Sequence, residues 1–235
     1  SIRELYSDGP HLADFSFDIG NPELDSEIGF GTDLFLRVAR TGLRAEISVF
    51  RNALRNYIYH APTGALDPRF GRFPVFEARG ADALFEGADG RLQWEFAPSV
   101  VLDGTLSWVR ATRREDDDPL PAIPPLQAGV ELRWESPRLF VEAGMEAQAR
   151  QDRVPAAIPD PSGPGTPLLL ERPTPGSTLL HAAAGTTWRM GEGDHSVVHQ
   201  VRNLGNRLRR DHLSRVKDVA PEPGRNVQLL YRIRF

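Results

Sequence analysis

The feature that most constrains this chain is a period-two alternation of apolar and polar residues along almost its entire length. In the segment GLRAEISVF, the odd positions of 43–49 are apolar and the even positions are polar. Successive side chains of a β-strand point to opposite faces, so this segment predicts a strand with one apolar face. Similar runs near 26–39, 80–96, 100–109, 126–135, 139–148, 177–189, 195–204 and 226–235 bring the total to about nine predicted strands.

The connections between these strands alternate between short and long. Short connections fall at 40–42, 97–99, 135–138 and 191–194, and long ones at 60–79, 113–122, 153–176 and 206–224. Tight turns at one rim and long loops at the other are typical of outer-membrane barrels. Strands of about 12–15 residues are also longer than the usual five or six of globular sheets. We therefore predict an all-β fold, an antiparallel up-and-down transmembrane β-barrel.

Aromatic residues cluster at the ends of the predicted strands. Those beside the short turns are Trp94, Phe96, Trp134, Trp188, Tyr231 and Phe235, and those beside the long loops are Phe50, Tyr57, Tyr59 and Trp108. Two aromatic belts mark the two interfaces of a membrane barrel. Single rings more often fill a sandwich core, but the placement at strand ends favours the membrane. We expect the apolar face to contact lipid and Phe235 to lie at the periplasmic interface.

Composition excludes several other classes. The net charge of −4 provides no general basic field, so we expect no nucleic-acid partner. The absence of cysteine removes disulfides, thiolate metal sites and cysteine nucleophiles. No apolar run approaches the roughly 18 residues of a membrane helix. No nucleophile elbow, phosphate loop or catalytic carboxylate pair is apparent, so we do not expect an enzyme.

Several motifs along the chain resemble those of TonB-dependent receptors, and most closely the zinc-uptake type. The motifs are ELYSDGPHLADFSFDIGNPELDSE at 4–27, NYIYHAPTG at 56–64, PLPAIPPL at 119–126, RQDRVP at 150–155, VRNLGN at 201–206, DHLS at 211–214 and PEPGRNV at 221–227. Two departures stand out: the family's G-x-E is Gly87-Ala88-Asp89 here, and RLRR replaces an aromatic residue after the N-L motif. The resemblance spans essentially the whole chain.

The resemblance implies energised import across the outer membrane of a Gram-negative bacterium. In such receptors a plug fills a barrel of about 22 strands and a short N-terminal box engages TonB. Neither the plug nor the box is in this sequence, so we expect residues 1–235 to be the C-terminal portion of the barrel, a fragment. The cargo would be a metal ion, zinc favoured, or a metal complex, with no resident cofactor.

The last strand resembles the sorting signal that the barrel-assembly machinery reads in this class. Leu229, Tyr231, Ile233 and Phe235 share its apolar face. Such a strand is read by pairing at a sheet edge. We therefore expect the barrel-assembly machinery as a partner, besides the TonB complex and the membrane itself.

The candidate metal ligands lie in the N-terminal segment. In the zinc-type family the histidine of this segment is a plausible ligand, which maps onto His11, and Asp8, Asp14 and Asp18 are close enough in sequence to complete a site. The alternative is a hydrogen-bonded histidine on the barrel wall. His195 and His199 share a face but stand roughly 13 Å apart, too far to share one ion.

Two further groups of charged residues have possible roles. The carboxylates Glu46, Asp103, Glu131, Glu142 and Glu146 fall on the polar face, where they would attract cations into the lumen. The basic run Arg207, Arg209, Arg210, Arg215 and Lys217 falls in the last long loop. Arginine recognises phosphate well, so this run is a hypothetical contact for lipopolysaccharide, with a solvated loop as the alternative.

Three alternatives to zinc uptake stay open. A siderophore, haem or cobalamin receptor belongs to the same class, because loops and plug select the cargo. A passive pore or structural barrel would lack energy coupling. A soluble β-sandwich would bury the same apolar faces against one another.

Overall fold

The computed structural model describes residues 1–12, 16–67, 69, 73–156, 171–214 and 216–235, and almost all of its regular structure is strand. The elements in chain order are α1 (Ile2–Tyr6), β1 (Asp8–His11), β2 (Ser16–Ile19), β3 (Ile28–Arg40), β4 (Leu43–Leu66), β5 (Pro74–Ala97), β6 (Val100–Arg113), β7 (Gln127–Glu135), β8 (Leu139–Gln148), β9 (Ser177–Met190), β10 (Gly193–Arg202) and β11 (Asn226–Arg234). All strands belong to one sheet.

Strands β3 to β11 form a continuous antiparallel meander in which each strand pairs with the next along the chain. The sheet is one layer thick and does not close, so β3 and β11 are the two edges of this meander within the described residues. Along its apolar face Val130 stands directly opposite Met145, and each is 39% exposed. The prediction of a nine-stranded part of an antiparallel transmembrane barrel is confirmed.

The turns at one rim are short, as predicted. They comprise residues 41–42, 98–99, 136–138 and 191–192, and Gly42 and Gly191 take the left-handed backbone that such turns require. Short turns lie on the periplasmic side of bacterial barrels, which orients the sheet. The opposite, extracellular rim carries the long connections 114–126, 149–176 and 203–225.

One predicted loop is wrong. Residues 60–79 were expected to be a long loop, but β4 continues to Leu66 and β5 already begins at Pro74. These extensions pair with each other and rise above the neighbouring strands. The proline and glycine residues that predicted a loop here are tolerated, because β4 and β5 continue to share backbone hydrogen bonds beyond them.

The extension of β5 also carries the N-terminal segment. Strands β1 and β2 form a hairpin, and β2 pairs in parallel with the start of β5, where Phe17 stands opposite Val75. The edge of β5 is free there, because β6 ends at Arg113, opposite Ala83. Strands β1 and β2 are thereby fixed to the extracellular end of the wall.

A bulge in β4 changes which side chains face inward. Between Leu54 and Tyr57 the register shifts, and Asn56 takes a left-handed backbone with φ 54°. Because a bulge adds one residue to one strand, odd-numbered side chains face lipid before it and the lumen after it.

The upper aromatic belt is predicted wrongly for three of its four members, for Tyr57 and Tyr59 because of the bulge and for Phe50 because its even position already faces the lumen. Phe50 lies on the luminal face over Gly87, and the ring of Tyr57 lies 5.3 Å from that of Phe85. The hydroxyl of Tyr59 accepts a hydrogen bond from Arg113 Nη1 at 2.9 Å. Trp108 is the member that stays exposed on the apolar face.

The lower belt is confirmed on the apolar face beside the short turns. Its members Trp94, Phe96, Trp134, Trp188, Tyr231 and Phe235 are all exposed. His195 is buried among them and stacks against the rings of both Trp188 and Tyr231, which also contact each other. Its Nδ1 lies 2.6 Å from Tyr231 Oη and its Nε2 lies 3.3 Å from the Met190 carbonyl, so both ring nitrogens have partners at the interface.

None of the helices in the described residues is long and apolar enough to cross a membrane.

Candidate functional site: the extracellular vestibule

A cavity with a volume of about 1110 Å³ lies among the extracellular loops. We call it the vestibule. It is lined by α1, by β2, by the extensions of β4 and β5 and by the three long connections. Apolar side chains support it from the luminal side, where Ala83, Ala111 and Leu120 form a buried cluster.

Charged side chains of both signs line the vestibule, and they are paired. Arg3 donates to Asp18 Oδ2 at 2.7 Å, and Arg172 lies 3.3 Å from Asp218. Burial alone raises the pKa of Asp18, but hydrogen bonds from Arg3 and Ser16 outweigh it and lower that pKa below its ordinary value. The carboxylate therefore stays charged.

Arg113 joins the vestibule to the end of β6. Its guanidinium donates to Asp116 at 2.6 Å, to Asp118 at 2.9 Å and to Tyr59. For Asp116, burial raises the pKa, and the larger combined effect of Arg113 lowers it. This group fixes the start of connection 114–126.

Three side chains tie the long connections to one another, and we call them the loop clasp: Glu171, Thr174 and His212. His212 is nearly inaccessible to solvent, with Nδ1 2.9 Å from Thr174 Oγ1 and Nε2 2.9 Å from Glu171 Oε1. The second oxygen of Glu171 accepts the backbone N–H of Ala122 at 2.9 Å. The clasp therefore links all three long connections.

The charge state of His212 follows from its surroundings. Burial lowers its pKa, the positive charge of Lys217 lowers it further, and Glu171 partly opposes both. Nε2 of the ring faces Glu171 Oε1 and Nδ1 faces the hydroxyl of Thr174, so each ring nitrogen has a polar contact. Thr174 is itself 1% exposed, so this trio holds loops together and offers no accessible nucleophile.

Of the N-terminal metal candidates, Asp18 lines the vestibule, whereas Asp8 and His11 are not among its lining residues. Asp8 and His11 lie at the two ends of β1, and Asp8 Oδ1 accepts from Arg69 Nη2 at 3.1 Å. Three strand residues span about 10 Å, so these two side chains are not brought together. Asp18 is committed to Arg3 and Ser16, and Asp14 lies outside the described residues.

The arginines of the last connection differ from one another. Arg209 lies over the luminal face, where its guanidinium meets Glu146 at 2.9 Å and Glu222 at 3.4 Å. Arg207 is exposed and Arg210 half-buried, and Lys217 Nζ donates to the His212 carbonyl. Arg215 lies outside the described residues.

One group of three metal-ligand side chains occurs within the described residues, and it lies elsewhere, on the luminal wall: Glu131, Glu142 and His181. The sequence marked both carboxylates as luminal but gave His181 no role. Only the strand register, which sets Glu131, Gly144 and His181 in one row, reveals the association.

Residues 1–204 match the family model described as TonB dependent receptor-like, beta-barrel. The chain belongs to this family. The structure shows part of the one-layer wall of the family's barrel, and the polar face of this wall is toward the lumen. The family groups receptors and transporters, not enzymes.

Solved structures with the same fold include three receptors of this class. The copper transporter OprC is 18% identical, with a TM-score of 0.71, over 87% of this chain and 31% of that chain. The siderophore receptor PirA from Pseudomonas aeruginosa is 19% identical, with a TM-score of 0.61, over 96% and 36%. The unliganded ferric citrate transporter FecA is 15% identical, with a TM-score of 0.59, over 86% and 30%. The chain thus spans about a third of the length of these structures.

Proposed function

We propose that this chain is the C-terminal wall of an outer-membrane receptor that imports a metal ion or metal complex with energy delivered through TonB. The observation that carries the proposal is the vestibule, a cavity of about 1110 Å³ lined by both charged and apolar side chains on the luminal side of a lipid-facing sheet. Family membership supports the transport class, and solved structures of like fold include a copper transporter and a siderophore receptor.

Zinc is the cargo proposed first. His11 and Asp8 lie on β1, whose partner strand β2 lines the vestibule, and imidazole with carboxylates suits Zn²⁺. Asp14 stays part of this proposal, as do ligands from the plug. In cells without other zinc importers, the full-length receptor should restore zinc-limited growth only when TonB is present. His11→Ala should weaken that growth, whereas the control His199→Ala should not.

A metal complex is the second candidate, because the cavity is far larger than one ion requires. Sites for organic ligands commonly enclose about 300–1,000 Å³. Tyr57, Tyr59 and Phe76 add aromatic surface to the cavity lining. This favours a siderophore, haem or cobalamin. TonB-dependent uptake of a ferric catecholate complex, with no response to zinc, would select this candidate, and uptake independent of TonB would indicate a passive pore instead.

Two surface interactions complete the proposal. The edge strand β11 presents Leu229, Tyr231, Ile233 and Phe235 on its exposed apolar face, which suits capture by the barrel-assembly machinery through strand pairing. Arg207 and Arg210 near the extracellular rim are proposed to contact lipopolysaccharide phosphates. Arg209 was included in that hypothesis, and its pairing with Glu146 and Glu222 directs its guanidinium to the lumen.

A further inference from the structure

Three side chains from adjacent strands converge on the luminal wall, below the vestibule. Glu131 lies on β7, Glu142 on β8 and His181 on β9, and one ligand atom from each lies within 4.8 Å of the other two. All three are half-buried. Glu131 and His181 lie one luminal row, and Glu142 two rows, closer to the periplasm than Glu146, the partner of Arg209 from the last connection.

A glycine makes this convergence possible. In the pairing register Gly144 stands between Glu131 and His181, on the strand that separates them. A Cβ at Gly144 would overlap the imidazole of His181, so the ring lies directly over the glycine. It thereby crosses β8 and brings Nε2 to 3.3 Å from Glu131 Oε2.

This separation fits two ligands of one ion. Zinc binds histidine nitrogen and carboxylate oxygen at about 2.0–2.1 Å, and at tetrahedral angles two such atoms stand about 3.3 Å apart. Glu142 is within 4.8 Å and has three rotatable side-chain bonds, so a rotamer adjustment brings its oxygen into the same shell.

The local charge favours a cation. Arg133 is the guanidinium beside the group, and it is shared by Glu135 at 3.3 Å and Glu142 at 3.7 Å while it lies 5.0 Å above the Phe140 ring. Asp103 stands opposite Glu131 on β6 and adds another carboxylate to the row. One guanidinium thus faces several carboxylates, and a divalent ion between Glu131 and Glu142 turns their repulsion into attraction.

We propose that Glu131, Glu142 and His181 form a binding site for a borderline divalent transition-metal ion, with Zn²⁺ as the representative. A histidine with two carboxylates suits this class better than Mg²⁺ or Ca²⁺, which prefer all-oxygen shells. Three protein ligands leave a position for water, so the site is open and its ion exchangeable. That the bound ion is cargo on its way from the vestibule rests on the proposed function; the site itself does not.

The test uses the purified full-length receptor that contains this chain, stripped with a chelator and titrated with Zn²⁺ against a chromophoric competitor. We expect His181→Ala and Glu131→Gln each to lower the affinity for one bound Zn²⁺ by about 10- to 100-fold or more. Changes to residues that only support metal ligands already reach this range. The matched control His199→Ala removes an exposed strand histidine from the opposite face and should leave every equivalent unchanged.

A third variant separates ligand loss from altered folding. Gly144→Ala keeps every ligand but displaces the His181 ring, so the affinity for the same bound Zn²⁺ should fall. Heat-modifiable mobility on gels should show that the barrel is still folded. With Cu²⁺ as a second probe, the nitrogen hyperfine signal from this site should vanish in His181→Ala.

Zinc binding by His181→Ala with wild-type stoichiometry and affinity would overturn the site and leave the proposed function standing. Absence of TonB-dependent uptake in a receptor that still binds Zn²⁺ at this site would overturn the proposed function and leave the site standing.

Discussion

In the barrel wall Leu106, Val130 and Met145 leave 43, 39 and 39% of their surface exposed, whereas Phe17, Ala111 and Leu120 beneath the vestibule are each 2% exposed. The wall has no second layer, so its apolar side chains need lipid, and its cohesion comes from strand pairing. The vestibule instead buries its own apolar and polar groups, as a soluble domain does. One chain thus combines a wall that faces lipid with a vestibule that buries its own groups. We therefore expect different substitutions to destabilise the two regions.

The largest expected effect distinguishes the two faces of the wall. Val130→Arg places a charge among lipid-facing side chains near the middle of β7 and should lower the free energy of unfolding by about 2–4 kcal/mol. The control Thr105→Arg sits one row away on the luminal face and should cost far less. Denaturant unfolding of the full-length receptor in phospholipid vesicles measures both, and equal costs would contradict the assignment of the faces.

The next largest effect belongs to the vestibule. His212→Ala leaves the buried Thr174 hydroxyl and one Glu171 oxygen without their partner, at a cost of about 1–3 kcal/mol. Because the wall is built separately, we expect faster amide exchange in connections 114–126, 171–176 and 203–214 and unchanged exchange in β6 to β9. Uniformly faster exchange would show that the vestibule and wall unfold as one unit.

The pH dependence of the clasp should be smaller. Burial and Lys217 lower the pKa of His212 in the folded chain, whereas the unfolded chain titrates near its ordinary value of about 6.5. The unfolded state therefore binds the proton more readily, so the stability contributed above about pH 6.5 is lost as pH falls toward the folded pKa. Loop exchange should rise over this window in the wild type, and His212→Gln should flatten that dependence.

The smallest effect lies at the periplasmic rim. Tyr231→Phe keeps the ring in the aromatic belt but removes the hydroxyl that meets His195 Nδ1 at 2.6 Å. We expect a loss of about 0.5–1.5 kcal/mol in unfolding experiments, the usual value of one hydrogen bond. A larger loss of stability, or faster amide exchange in the vestibule, would indicate that the periplasmic rim and the vestibule are energetically coupled.

Much of the wall could be predicted from the sequence, because period-two alternation and turn residues are local signals. The nine strands, the four short turns and the lower aromatic belt follow directly from them. The bulge at Asn56 is less visible, and since it reverses the faces of β4, the placement of Tyr57 and Tyr59 was lost with it. The extension of β4 and β5 was missed because Pro62, Gly64 and Pro74 are turn signals, outweighed here by pairing between the two strands.

The candidate sites depend on register and on loop packing, and neither is a local property. The association of His181 with Glu131 requires the alignment of three strands and the missing side chain of Gly144. The loop clasp joins residues about 40 positions apart through connections that carry no periodic pattern. The sequence offers one usable hint for the wall site: a glycine in a strand often marks a close approach of another group.

The most direct test of the one-layer wall is a scan of lipid contact along β6. The chain has no cysteine, and in a full-length receptor whose other cysteines have been replaced, single cysteines at 101–107 can each carry one spin label. In bilayers, labels at Leu102 and Leu106 should be accessible to dissolved oxygen and protected from a water-soluble nickel complex, and labels at Asp103, Thr105 and Ser107 should show the reverse. Protection of both sets from oxygen and nickel alike would mean that a second layer covers the apolar face, and the account would fail.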